Sequence, residues 1–123
     1  MNDNRLIDYL DHIQQASIDV LSFIDGLEKD DFLEDKRTQQ AVIMSLIIMG
    51  AASTKVMDDY AEFARKHSDI PWRNMRGMRN RIAHGYFDIN LDVVWDTVQM
   101  EVPNLLKQLF LVRQGIDEGS TSC

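Results

Sequence analysis

The sequence predicts an all-α protein, an up-and-down bundle of four main helices, on three observations. Its 123 residues include only two prolines and six glycines, few for a chain that must turn repeatedly between strands. Met, Leu, Ile, Ala, Asp and Arg are plentiful, a composition that suits helices. Apolar residues recur at steps of three or four, and no strand-like alternation of useful length is present. The length fits one domain with a real core, and a hydrophobic content of 45% argues against global disorder.

The first helix is expected from about Asn4 to Leu27, with Leu6, Tyr9, Leu10, Ile13, Ala16, Val20 and Ile24 along one stripe. Gly26 and the acidic stretch "EKDDFLEDKRTQ" then form a connection. The second helix is expected from Thr38 to about Arg65 and carries the most apolar run, "AVIMSLIIMGAA". That run is twelve residues long, against the roughly twenty that a bilayer needs, so it reads as a buried bundle helix. Within it, Gly50, Ala51 and Ala52 either allow a neighbouring helix to come close or only weaken this one.

Pro71 disfavours helical geometry at Ile70 and suits the first turn of a third helix, with Asp69 available as its cap. The third helix runs to His84, where Gly85 stops it. "GYFDIN" follows as a loop, and Asn90 is placed to cap the last helix. That helix carries Leu91, Val94, Trp95, Val98, Val102, Leu105 and Leu109, with a kink expected near Pro103. Residues 1–115 form the single domain, and residues 116–123 a flexible C-terminal tail. The N-terminal "MNDNRLIDYL" lacks the basic and apolar regions of a signal peptide. The lone cysteine, Cys123, cannot form an internal disulfide. Both features fit a cytoplasmic protein without a membrane segment.

Net charge is −7, which argues against general nucleic-acid binding, yet the charge is segregated. Between Arg65 and Tyr86 stand six basic residues and one acid, Asp69, a local +5 that leaves −12 for the rest of the chain. Such polarity can focus one anionic ligand at one place. A solvated helix face accounts for a basic run equally well.

On a helical wheel, Met75, Met78 and Ile82 fall within about 60° and form the buried stripe of the third helix. Arg73, Arg76, Asn80 and His84 share another face. Arg79 and His84, five residues apart, lie about 140° apart in an unbroken helix. Either the helix ends before His84, as Gly85 permits, or the two meet around a cleft completed by a second subunit.

The segment "MRNRIAHGYF" resembles the signature of the HEPN superfamily, and more narrowly the Arg-x4-His-x-Tyr pattern of its HepT toxin branch. Here the pattern reads Arg79, four intervening residues, His84, Gly85 and Tyr86. The similarity extends over "PWRNMRGMRNRIAHGYFDINLDVVWDTV" and the order of helices. The resemblance implies a HEPN-like bundle that dimerises with paired motifs facing one cleft. It also implies metal-independent RNA cleavage by a toxin beside a minimal nucleotidyltransferase antitoxin, with tRNA or mRNA as substrate. The antitoxin would silence the toxin by AMPylation of Tyr86.

Residue chemistry is compatible with these roles. RNA supplies its own nucleophile, the 2′-OH, so neither a metal nor a cofactor is required. A histidine titrates near neutrality and can move the proton, the role open to His84. An arginine stays charged and grips phosphate oxygens with two donors, the role open to Arg79. Asn80 can orient the histidine or bind phosphate, and Arg73 and Arg76 can position RNA. Other readings of the same residues remain open. A histidine before a helix-ending glycine also serves as a C-terminal cap. A basic cleft also suits a non-catalytic subunit that binds a nucleotide or docks a nucleotidyltransferase. His12 and His67 have no partners at metal-ligand spacing.

Overall fold

A computed structural model describes the backbone of residues 2–121 and the side chains of residues 5–116. The described residues form helices and turns with no strand, as expected of a HEPN-like bundle. Helix α1 (Asn2–Ile24) buries Leu10, Ile13, Ala16, Ser17, Val20 and Ile24, the stripe read from the sequence. Gly26 then takes φ +81°, a left-handed conformation that glycine adopts without a Cβ penalty.

The acidic connection is more ordered than expected. It contains the short helix α2 (Lys29–Leu33), whose first turn is closed by Glu28 N–H donating to the Asp31 carboxylate at 2.9 Å. Its Phe32 is fully buried, with its ring 5.3 Å from that of Trp95. Leu33 packs beside it on the core, and the Gln39 amide donates to the Phe32 and Leu33 carbonyls at 3.0 and 3.1 Å.

Helix α3 (Lys36–Asp59) is the central element, packed on α1 along one side and on the third main helix along the other. It starts at an Asp35 cap, which accepts from the Thr38 N–H and hydroxyl at 3.2 and 2.6 Å. By length and composition α3 would pass for a membrane-crossing helix, but half of its apolar window is buried inside the bundle. Its fully buried Ser53 hydroxyl donates to the Met75 sulfur at 3.2 Å.

The second helix expected from the sequence does not run unbroken to Arg65. It breaks at Tyr60 (φ −136°, ψ 53°) and resumes as α4 (Ala61–Lys66). The break has a tertiary consequence. It redirects the chain so that the carbonyls of Ala64 and His67 both accept from the buried Trp72 indole at 3.1 Å. Phe63 and Trp72 also pack with centroids 6.3 Å apart.

Helix α5 (Trp72–His84) follows, with Pro71 at its N-cap and no side chain closing its first turn. Asp69 therefore does not cap it. The Trp72 indole fixes this end instead. A 3-10 turn (Tyr86–Asp88) leads to α6 (Leu91–Asp96), capped as expected by Asn90, which accepts from Asp92 N–H at 3.0 Å and Val93 N–H at 3.3 Å.

The last main helix deforms at the expected proline. A π-helical turn (Thr97–Glu101) precedes α7 (Val102–Thr121), with the Val102 N–H bonded to the Thr97 carbonyl. The wider turn lies where the Pro103 ring would clash with the carbonyl four residues back. α7 packs on α1, where Arg113 pairs with Asp11 and bonds Gln14. It continues through Gly115 into the stretch expected as a tail, as far as Thr121, while Cys123 lies outside the described residues.

Candidate active site

Helix α5 carries the site, and its register is set by one glycine. A Cβ at Gly50 would lie 2.2 Å from Arg79 Cβ and 2.6 Å from the Met75 carbonyl oxygen. Only hydrogen fits there, so α3 and α5 touch backbone to backbone at the root of Arg79. This decides between the two readings of Gly50: it permits close approach. Met75 and Ile82 are buried on either side of that contact, and Met78 is half-buried against the core. The expected apolar stripe is thus the face that α5 turns inward.

Apart from Trp72, buried at the start of the helix, the remaining side chains of α5 point out. Arg73, Arg79, Asn80, Arg81 and His84 are exposed, and Arg76 is half-buried. Arg79 Nη1 donates to Asn80 Oδ1 at 3.1 Å. Asn80 therefore steadies the arginine, not the histidine, and its amide nitrogen stays available. No carboxylate pairs with Arg73, Arg76, Arg79 or Arg81 among the described residues. Four guanidinium groups on one helix lack protein counter-ions, which favours an anionic ligand over a solvated salt-bridge lattice.

His84 is the last residue of α5, and Gly85 caps it by donating to the Arg81 carbonyl at 3.0 Å. The helix does not end before His84, so the offset of about 140° from Arg79 stands. One chain does not bring the two together. His84 makes no hydrogen bond to the terminal carbonyls among the described residues, so it is not acting as the helix cap.

Instead, His84 opens on a cavity of about 460 Å³ formed where α5 meets the segment leading into α6. Arg81, Asp88 and Asn90 supply its polar rim, and Ile82, Val93 and Val94 part of its apolar wall. Arg79 does not line it. Two residues past His84, Tyr86 stands on the 3-10 turn, 45% exposed, its ring edge-on to that of Phe87 at 5.7 Å. Phe87 is 97% exposed.

Sequence reasoning missed the cavity residues Asp88 and Val93 and the anchoring role of Trp72. Their only advance signal was the Asn90 cap, which fixes where the chain turns after Gly85. No three His, Cys, Asp or Glu side chains gather at metal-binding spacing among the described residues.

Residues 9–111 match the family model described as ribonuclease HepT-like. A Thermococcus cleftensis chain, named as an inferred HepT ribonuclease, is 42% identical over 98 residues, covering 80% of this chain and 86% of that one. A Methanocaldococcus jannaschii chain, named as an inferred RNase, is 37% identical over 101 residues, 82% of this chain and 81% of that one. A Caldanaerobacter subterraneus chain, also named as an inferred RNase, is 37% identical over 101 residues, 82% and 88% of the two chains. No solved structure matches the chain. With its helical fold, its outward arginines and histidine, and a family match over most of its length, the chain belongs to the HepT-like ribonuclease family.

Proposed function

We propose that the protein is a metal-independent endoribonuclease, the toxin of a toxin–antitoxin pair, acting in the cytoplasm on tRNA or mRNA. The observation that carries this reading is the pairing of unneutralised Arg79 with unengaged His84 on an unbroken helix that holds them about 140° apart. A second copy of the chain completes the site, its Arg79 facing this chain's His84 across a homodimer cleft.

In that cleft His84 takes the proton of the 2′-OH as the 2′-oxygen bonds to phosphorus. The bond from phosphorus to the 5′-oxygen breaks, and the proton passes to that departing oxygen. The products are a 2′,3′-cyclic phosphate and a 5′-hydroxyl. Arg79 neutralises the charge that builds on the non-bridging oxygens, and Asn80 fixes the direction of its guanidinium. Because the nucleophile belongs to the RNA, the step needs no metal.

Silencing follows from the position of Tyr86. A nucleotidyltransferase antitoxin transfers AMP from ATP to the exposed hydroxyl, with pyrophosphate leaving. The adduct brings bulk and negative charge two residues from His84, where the RNA phosphate must sit.

The test is cleavage of labelled tRNA and mRNA in EDTA, using protein shown by intact mass to carry no AMP. The wild type is expected to cut and His84→Ala to lose roughly 10²–10⁴ in rate. A wild type that cuts neither RNA refutes the nuclease reading and favours the non-catalytic binding subunit. Cleavage that survives His84→Ala refutes the residue assignment. Co-expression with the antitoxin should add AMP-sized mass to the wild type and none to Tyr86→Phe.

A further inference from the structure

The face of α5 that ends in His84 begins at a second concavity. A cleft of about 720 Å³ opens between α4, the chain around Ile70 and the first turns of α5. Arg65 enters it from α4, and Arg73 and Arg76 enter from α5. Ser68 and Asn74 add neutral donors, and Asp58 is the single acid on its lining. Arg65 already bonds Glu62 and holds that carboxyl below the ordinary carboxylate range. Arg73 and Arg76 have no ion-pair or hydrogen-bond partner among the described residues.

Two unpaired guanidinium groups, one helical turn apart, border a concave wall with little opposing charge. Arginine forks of this kind match the paired oxygens of a phosphodiester. The cleft also lies on a continuous strip. Arg73, Arg76, Asn80 and His84 fall within about 80° of one another around α5. From Arg73 to His84 the helix axis advances about 16 Å, farther than the spacing of neighbouring phosphates on one strand. A phosphate in the cleft is therefore not the scissile one.

Resting on the RNA reading above, we infer that this cleft is a subsite for a backbone phosphate of single-stranded RNA that flanks the cleavage point. Arg73 and Arg76 grip the phosphate, and Arg65 closes the opposite wall. The strand then runs along α5 from the cleft to His84. An acidic protein partner fits the same charge less well, because nothing in that case explains why the cleft and His84 share a helix face.

The test uses the full-length His84→Ala protein, which is expected to hold RNA without cutting it. Anisotropy of a labelled ten-nucleotide RNA is followed against KCl concentration. Arg73→Ala with Arg76→Ala should weaken binding equally across sequences. It should make the slope of log affinity against log salt shallower by about 0.7 for each phosphate that the protein no longer neutralises. Lysine at both positions should keep most of the slope, and Arg5→Ala with Arg37→Ala, outside the cleft, should leave it unchanged. A dinucleotide, too short to reach, should bind the cleft variant and its parent alike.

An unchanged slope in a folded double-alanine variant overturns the inference, as does an equal loss with the dinucleotide. AMP or inorganic phosphate that displaces the RNA at matching affinity marks a mononucleotide pocket and also overturns it. Loss of antitoxin capture with RNA binding intact does the same in favour of a protein-docking face. Because binding is read without turnover, a wild type that cleaves nothing sinks the nuclease reading while leaving this result interpretable.

Discussion

Gly50→Ala tests the link between packing and chemistry most directly. Real Cβ atoms essentially never approach within 3.0 Å of a neighbour, and here the new methyl would lie 2.2 Å from Arg79 Cβ. The helices must separate by about 0.8 Å at that point, and the Met75 carbonyl at 2.6 Å blocks a sidestep because it is backbone. Alanine gains about 1 kcal/mol of helix propensity, while overpacking of this kind costs about 1–3 kcal/mol. With two rigid obstacles the upper end applies, leaving a net loss of about 1–2 kcal/mol. In a chain of this size that lowers the melting temperature by roughly 4–8 °C. Displacing the root of Arg79 by close to 1 Å should reduce RNA cleavage about 10²-fold at temperatures where the variant remains folded. Gly115→Ala is the control. It sits in α7 with nothing within 4 Å of its built Cβ and should gain up to about 1 kcal/mol with unchanged cleavage. Calorimetry and a gel assay on both variants decide the matter. A Gly50→Ala protein that melts at or above wild type, or cuts at the wild-type rate, refutes the close-contact argument.

Mixing Arg79→Ala with His84→Ala, each inactive alone, should restore about a quarter of wild-type Arg79–His84 pairs after subunit exchange, since half the dimers are mixed and one of the two pairs in their cleft is intact. No recovery would place both groups in one chain's site. Asn80→Ala frees the Arg79 guanidinium and should lower kcat about tenfold with little change in KM, whereas a change in KM alone would make Asn80 an RNA-binding residue. Trp72→Phe leaves the carbonyls of Ala64 and His67 without their shared donor and should cost about 1–3 kcal/mol by urea denaturation; no loss would mean that water replaces the indole. Burial, helped by Lys66 and opposed by Asp69, holds the His67 imidazole below its ordinary value. The folded state therefore resists its protonation, so its contribution is present above about pH 6.5 and lost as pH falls through the lowered value. His67→Gln should flatten the melting temperature across that acidic window, and an unchanged profile would assign the acid sensitivity elsewhere.

Much of this architecture was legible because it rests on local signals. The α1 stripe, the Asn90 cap and the deformation beside Pro103 each follow from residue type and spacing, and all appear where expected. The break at Tyr60 was not legible, since no proline or glycine lies between Thr38 and Arg65 except Gly50, which is buried in mid-helix. The redirected segment is held by the Trp72 indole, which bonds carbonyls eight and five residues back, and periodicity carries no trace of such a contact. Helix α2 was hidden for a related reason: a single buried Phe32 gives no repeat to read. The candidate site residues Arg79, Asn80, His84 and Tyr86 were nameable from their pattern, and the wheel separated arginine from histidine on condition that the helix ran unbroken, as it does. That Asn80 serves the arginine required coordinates, because the choice depends on side-chain rotamers.

The Trp72 indole also makes the molecule its own optical instrument. It is 5% exposed, lines the cleft between α4 and α5, and shares a ring cluster with Phe63, which packs at a tilt against His67 with centroids 4.5 Å apart. The only other tryptophan, Trp95, is buried against Phe32 in another part of the bundle. With Trp95 replaced by phenylalanine, the emission that remains comes from a single fluorophore seated against the basic cleft. If the cleft takes the proposed phosphate, its colour and intensity are expected to report that occupancy, and the protonation of the neighbouring imidazole, in real time and without a label.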